Sequence, residues 1–168
     1  SNFFEEEKYD EALKGYQYII DNHKKNELYP RAFYNVGYIH FLQKENDKAI
    51  PIFKEILESN FNEKDNLGGD IMADPYTNYR HRACNILSEI YYTKKKYDTA
   101  LYYFALSDTT YPYLHFCGNE YASNDVHTAL RYANIYIKLK NYNLALKNFQ
   151  ITIDIDKNFI QGYNNLGN

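Results

Sequence analysis

Four side chains in this sequence have the chemistry to hold a metal ion or to supply a nucleophile: His81, His115, Cys117 and His127. Imidazole nitrogen and cysteine sulfur are zinc ligands, and a closed zinc site takes four of them. The spacing does not suit that use. His115-x-Cys117 lacks the gap of about two to four residues that normally separates paired ligands. Cys117 with His115 or His127 could be written as a thiol dyad, but no local signature surrounds the thiol. Asp70 and Asp74 do not have the acidic spacing of a calcium loop, and no glycine motif that would cradle a phosphate is present. The reading is therefore no catalytic residue, no cofactor and no metal, and the chain is not expected to be an enzyme.

Composition narrows the classes further. The 168 residues carry a formal net charge of −3, which speaks against a nucleic-acid footprint, since that needs clustered excess lysine and arginine. The densest basic run, Lys94–Lys96, falls where a turn between helices should be and reads as a solvated corner. No apolar run approaches the roughly 20 residues needed to cross a bilayer. Two cysteines are too few for a disulfide framework, and Cys84 reads as a buried free thiol. Twenty tyrosines and no tryptophan mean that tyrosine must fill most aromatic packing positions.

The elements that would position any site are helices. Arg31 to Glu58 reads as two of them around a tight turn at Glu45–Asp47. Phe33, Val36, Gly37 and His40 fall at the spacing large-x-x-large-small-x-x-large, and Ala49 and Phe53 follow as small-x-x-x-aromatic. The pattern recurs in Cys84, Leu87, Ser88, Tyr91, Ala100 and Phe104, and again in Ala129, Tyr132, Ala133, Tyr136, Ala145 and Phe149. From the small residue of the first helix to the alanine of the second the step is 12 residues in all three copies. Small residues at Gly37, Ser88 and Ala133 should face Ala49, Ala100 and Ala145 and let paired helices approach closely. Phe53, Phe104 and Phe149 should then be buried, each touching its own unit and the next.

This recurrence resembles the tetratricopeptide repeat, a helix–turn–helix unit of about 34 residues. The resemblance implies an all-α fold, a right-handed superhelical stack of antiparallel helix pairs. The expected helices are 9–22, 29–44, 46–59, 76–94, 96–107, 124–139, 142–155 and 158–168. Residues 1–168 then form one array: a partial unit at 1–28, units at about 29–60, 77–108 and 124–157, and a partial unit at 158–168. Insertions are expected at about 60–74 and 109–123, with Asp74-Pro75 and Ser123 or Asn124 opening the helices that follow. The tyrosine-rich Thr109–Ser123 stretch should pack back onto the helices. Phe3 and Phe4 should belong to the end of an earlier helix, and Tyr163, Leu166 and Gly167 to the start of a further unit. Both ends thus read as cut through repeats of a longer array, and Phe3, Phe4, Tyr16, Tyr163 and Leu166 should favour self-association. A leader segment is not observable in such a fragment, and the compartment defaults to the cytoplasm.

The resemblance also implies where a partner would lie. Family ligands occupy the concave face built by the first helix of each pair. The matching positions are Arg31, Tyr34, Asn35, Tyr38 and Phe41; then Arg82, Asn85, Glu89 and Tyr92; then His127, Leu130, Arg131, Asn134 and Lys138; with Gln161, Asn164 and Asn165 beyond. Arg31, Arg82 and Arg131 should form a ladder that favours a partner segment with spaced acidic side chains. One subgroup of the family grips a chaperone's C-terminal carboxylate, but Ile86 stands where its second asparagine belongs, and no such clamp is expected. The implied function is a protein-interaction scaffold holding an extended or helical partner segment in the groove. The alternatives are a structural or oligomerisation module of a larger assembly (a bacterial envelope or cytosolic complex) and, in a third class, a metal or thiol site on the insertion edge.

Overall fold

The computed structural model describes residues 3–59, 61, 78–112 and 118–157, with the side chains of 8–59, 61, 78–112 and 126–157. The described residues form seven helices and no strand: α1 (Phe3–Asn22), α2 (Tyr29–Leu42), α3 (Asn46–Glu58), α4 (Tyr79–Thr93), α5 (Tyr97–Thr109), α6 (Gly118–Lys138) and α7 (Tyr142–Ile155). Three helix pairs follow from the sequence pattern, α2–α3, α4–α5 and α6–α7, and each is joined by a three-residue turn.

The turns are copies of one another. Lys44, Lys95 and Lys140 adopt φ of 61°, 59° and 59°, the left-handed conformation that ends a helix. Beyond them Glu45 N–H bonds His40 O at 2.8 Å, Lys96 N–H bonds Tyr91 O at 2.9 Å and Asn141 N–H bonds Tyr136 O at 2.9 Å. These six-to-one bonds satisfy carbonyls that the helix ends would leave orphaned. Each turn sits seven residues after its small residue, so the backbone repeats as strictly as the side chains do.

Packing follows the small residues. Ala49, Ser88, Ala100 and Ala133 are fully buried and Ala145 nearly so. At Gly37 the tightest neighbours come from Ile52 and Phe53. A Cβ there would lie 2.9 Å from Ile52 Cγ2 and 3.2 Å from two ring atoms of Phe53. Only a hydrogen fits under that ring. Phe53, Phe104 and Phe149 are buried as expected. Phe53 meets the Tyr34 ring of its own pair at 5.8 Å and shares a buried cluster with Tyr79, Ala83 and Leu87 of the next. Phe104 meets Tyr132 of the following pair edge-on at 4.7 Å. Phe149 lies among Ala133, Ala145, Leu130 and Tyr136 of its own pair. Cys84 is a buried free thiol, and burial pushes it up to about 12.

Two clusters of buried apolar side chains stand out among the described residues. One joins α2, α3 and α4 around Tyr34, Phe53, Tyr79 and Leu87. The other joins α6 and α7 around Ala133, Ala145 and Phe149.

Three expectations about boundaries are corrected. α1 begins at Phe3 rather than residue 9, because no proline or glycine interrupts Phe3–Lys14; Phe3 and Phe4 belong to the same helix as Tyr9–Asn22. α6 begins at Gly118 rather than 124, for the same reason, so Gly118-Asn119 is no turn and Ser123 and Asn124 lie inside the helix instead of capping it. The cap of α4 is Asn78, whose side chain accepts from His81 N–H at 3.1 Å. The Asp74-Pro75 helix start, residues 62–77, His115, Cys117 and residues 158–168, with Tyr163 and Leu166, lie outside the described residues, as do the side chains of Phe3 and Phe4. No helix of the described residues is long and apolar enough to cross a membrane.

Candidate partner-binding face

The first helices of the pairs, α2, α4 and α6, carry the expected groove residues, and the structure sorts those residues into two kinds. Several are committed to the fold. Tyr34 is buried, and the guanidinium of Arg82 lies 4.1 Å from its ring centroid. Burial pushes the Tyr34 phenol up to about 12, with Arg82 working the other way. The Arg131 guanidinium lies 4.8 Å from the Phe104 ring centroid and donates to Asn85 O at 3.0 Å. Burial pulls Arg131 down from its ordinary value, and nearby Glu89 opposes that pull. Both arginines thus cover aromatic rings at junctions between pairs instead of projecting as a ladder. The register also differs from the expected ladder. Arg31 and Arg82 stand six residues before their small residues, and His127 holds that slot in the third copy, whereas Arg131 stands two before.

His81, next to that junction, ties α4 to the end of α5 within one pair. Its Nδ1 lies 2.8 Å from Tyr111 O and 3.1 Å from Ser107 O, while Nε2 lies 2.9 Å from Asn85 Nδ2. Two carbonyl acceptors make Nδ1 the protonated nitrogen, which leaves Nε2 to accept from the Asn85 amide. The side chain of Asn85 is therefore already used, one amide nitrogen bonding both His81 Nε2 and His81 O, the latter at 3.2 Å. Among the described residues no group of three or more His, Cys, Asp or Glu could hold a metal ion.

The second kind of residue remains accessible. Two clefts open between the pairs and meet at Arg131. One, of about 200 Å³, is lined by residues that include His81, Asn85, Asp108, His127, Thr128 and Arg131. The other, of about 210 Å³, is lined by Glu89, Tyr92, Arg131, Asn134 and Ile135. The structure thus brings together Asn85, Glu89, Tyr92, His127, Arg131 and Asn134 from the expected set. Glu89 and His127 are exposed and Asn134 is half-buried. Arg31, Asn35 and Tyr38 lie on α2 and line neither cleft; Tyr38 stacks on Tyr34 at 6.0 Å and on Phe41 at 6.2 Å. Lys138 is exposed at the end of α6.

Sequence reasoning missed Asp108 and Thr128. Asp108 comes from the second helix of its pair, which the groove pattern ignores, and it accepts from the Tyr132 hydroxyl at 3.1 Å. Burial, with Asp108 close by, pushes the Tyr132 phenol up and keeps that proton in place.

No match to a curated protein was found. Residues 30–63 match the family model of the tetratricopeptide repeat, and α4–α5 and α6–α7 reproduce the turn and the small-residue step of that stretch, which together support a tetratricopeptide-repeat architecture.

Proposed function

We propose that this chain is an interaction scaffold that holds a segment of another protein against the face of α2, α4 and α6. Tetratricopeptide repeats generally mediate protein–protein interaction, and the fold is typically a non-enzymatic scaffold. The observation that carries the reading is the pair of adjoining clefts parted by Arg131. Together they offer acceptors at Glu89 and Asp108, and groups that can donate or accept at His127, Thr128 and Asn134. A segment lying across both would anchor one side chain in each cleft and run its backbone past Arg131. Acidic side chains of that segment would meet the accessible cations Arg31 and Lys138, and His127 when protonated. Each such exposed pair adds only about 0–1 kcal/mol, so the anchors would set specificity. The units at 29–60, 77–108 and 124–157 would then act as one array, with insertions on one edge.

Photo-crosslinking from single positions tests this in the whole chain. Probes at Glu89, His127 and Asn134 should give adducts with the same partner, and a probe at exposed Tyr102 on α5 should give none. The paired variant Glu89→Lys and Asn134→Lys should lose the partner and keep its helical melt. The same adduct from Tyr102, or unchanged capture by the paired variant, would move the site elsewhere. An adduct with a second copy of the chain would replace this reading with self-assembly.

A further inference from the structure

The three turns between paired helices carry something the groove does not use. Each places a lysine in left-handed backbone, with φ of 61° at Lys44, 59° at Lys95 and 59° at Lys140. That region disfavours any residue with a Cβ, and glycine is the common occupant after a helix. Here it is lysine in all three turns.

The turns share one edge of the stack. Lys94 Nζ reaches Asp47 Oδ1 at 2.8 Å, which sets the second turn against the first. The C-terminal halves of α4 and α6 flank the cleft of Glu89, Tyr92, Asn134 and Ile135, so the third turn follows on the same side. Over residues 42–48, 93–98 and 138–143 this edge has seven exposed lysines against the three carboxylates of Glu45, Asp47 and Asp98. Lys48 and Lys94 are paired with Glu45 and Asp47. The local balance is +4 on a chain whose formal net charge is −3. Exposed Leu42, Ile137 and Tyr142 stand among these lysines.

Helix dipoles account for cations near the end of α2, α4 and α6. They do not require lysine in the left-handed slot itself, where glycine relieves the backbone, nor apolar side chains beside it.

We infer that this edge docks on an anionic lipid surface, with the three turns lying along the headgroups. Lysine ammonium groups are compact charges on flexible stems, suited to a mobile layer of anions more than to one fixed bidentate partner. Leucine, isoleucine and tyrosine can enter the headgroup boundary between them. Nucleic acid would instead favour arginine forks and aromatic platforms for bases. Contact through the turn edge uses the ends of the helices and leaves their groove sides open.

The test is co-sedimentation of the whole chain with vesicles of phosphatidylcholine alone or mixed with phosphatidylserine. At low salt the mixed vesicles should bind at least about tenfold more protein, and added salt should reverse it. The variant Lys44→Gly, Lys95→Gly and Lys140→Gly removes three charges where glycine suits the backbone. It should lose most of the phosphatidylserine-dependent binding and melt no lower than the parent. A control carrying Lys24→Gln, Lys25→Gln and Lys147→Gln makes the same charge change elsewhere and should still bind. Equal sedimentation with both vesicles, or equal loss in both triple variants, would overturn the inference. Tighter retention by duplex DNA than by the mixed vesicles would also overturn it, in favour of a nucleic-acid surface.

Discussion

Arg131 spans the junction between two helix pairs, its guanidinium 4.8 Å from the Phe104 ring centroid and one nitrogen 3.0 Å from the backbone carbonyl of Asn85. A cation over a desolvated ring and a charge-assisted bond to a carbonyl are both stabilising. Arg131→Lys keeps the charge but cannot make both contacts with one planar group, and should cost about 1–2 kcal/mol. Arg131→Glu would turn a carboxylate toward that carbonyl and should cost more. Urea melts of the two variants check this. A tandem replacement of Arg82 and Arg131 by glutamate would confound binding with folding, so groove tests belong at Glu89, His127 and Asn134.

Gly15 and Gly37 should respond oppositely to alanine. At Gly37 the new Cβ would press on Ile52 and the Phe53 ring, both packed, and overpacking should cost about 1–3 kcal/mol. At Gly15 nothing lies within 4 Å, and alanine should stabilise the helix by about 1 kcal/mol. Melting the two single variants beside the parent gives both signs in one experiment.

Ser88 occupies the small slot of α4, fully buried, with no hydrogen-bond partner for its hydroxyl. Ser88→Ala keeps the close helix contact and removes the orphaned polar group. It should stabilise by about 1–2 kcal/mol, read as a higher denaturation midpoint at an unchanged slope.

Asp47 and Glu45 should make the turns mildly acid-sensitive. The hydrogen bond and charge of Lys94 hold Asp47 below its ordinary 3.8, and hydrogen bonds from Lys48 and then His40 hold Glu45 below 4.5. A carboxylate depressed in the folded state contributes stability that is complete above its unfolded value. That contribution drains as pH falls through the folded value. Lys94→Met should return Asp47 toward its ordinary value in an NMR titration and leave Glu45 where it is.

The repeat register was legible because close packing writes itself into residue size: Gly37, Ser88 and Ala133, with Phe53, Phe104 and Phe149, announce themselves by spacing alone. The left-handed backbone of the turns was not, because such a residue is usually signalled by glycine, and Lys44, Lys95 and Lys140 look like ordinary surface charge. The starts of α1 and α6 were placed too late for a related reason. Capping residues mark where a helix can begin, but the helix runs on wherever nothing breaks it. The roles of Arg82 and Arg131 depend on rings 48 and 27 residues away in the chain, Tyr34 and Phe104, and no local pattern carries that.

The separateness of the buried cluster around Phe53 from the one around Phe149 bears on cooperativity. A linear array shares stability only through the interfaces between neighbours. Between these clusters the shared surface includes Phe104 against Tyr132 and the polar bridge of Arg131, with clefts on either side. α6 and α7 can therefore open as a separate foldon while α2 to α4 stay closed. Their amides should exchange at a lower opening free energy than those around Phe53. A segment seated across both clefts would splice the two blocks, so occupancy should register as a single, sharper unfolding transition.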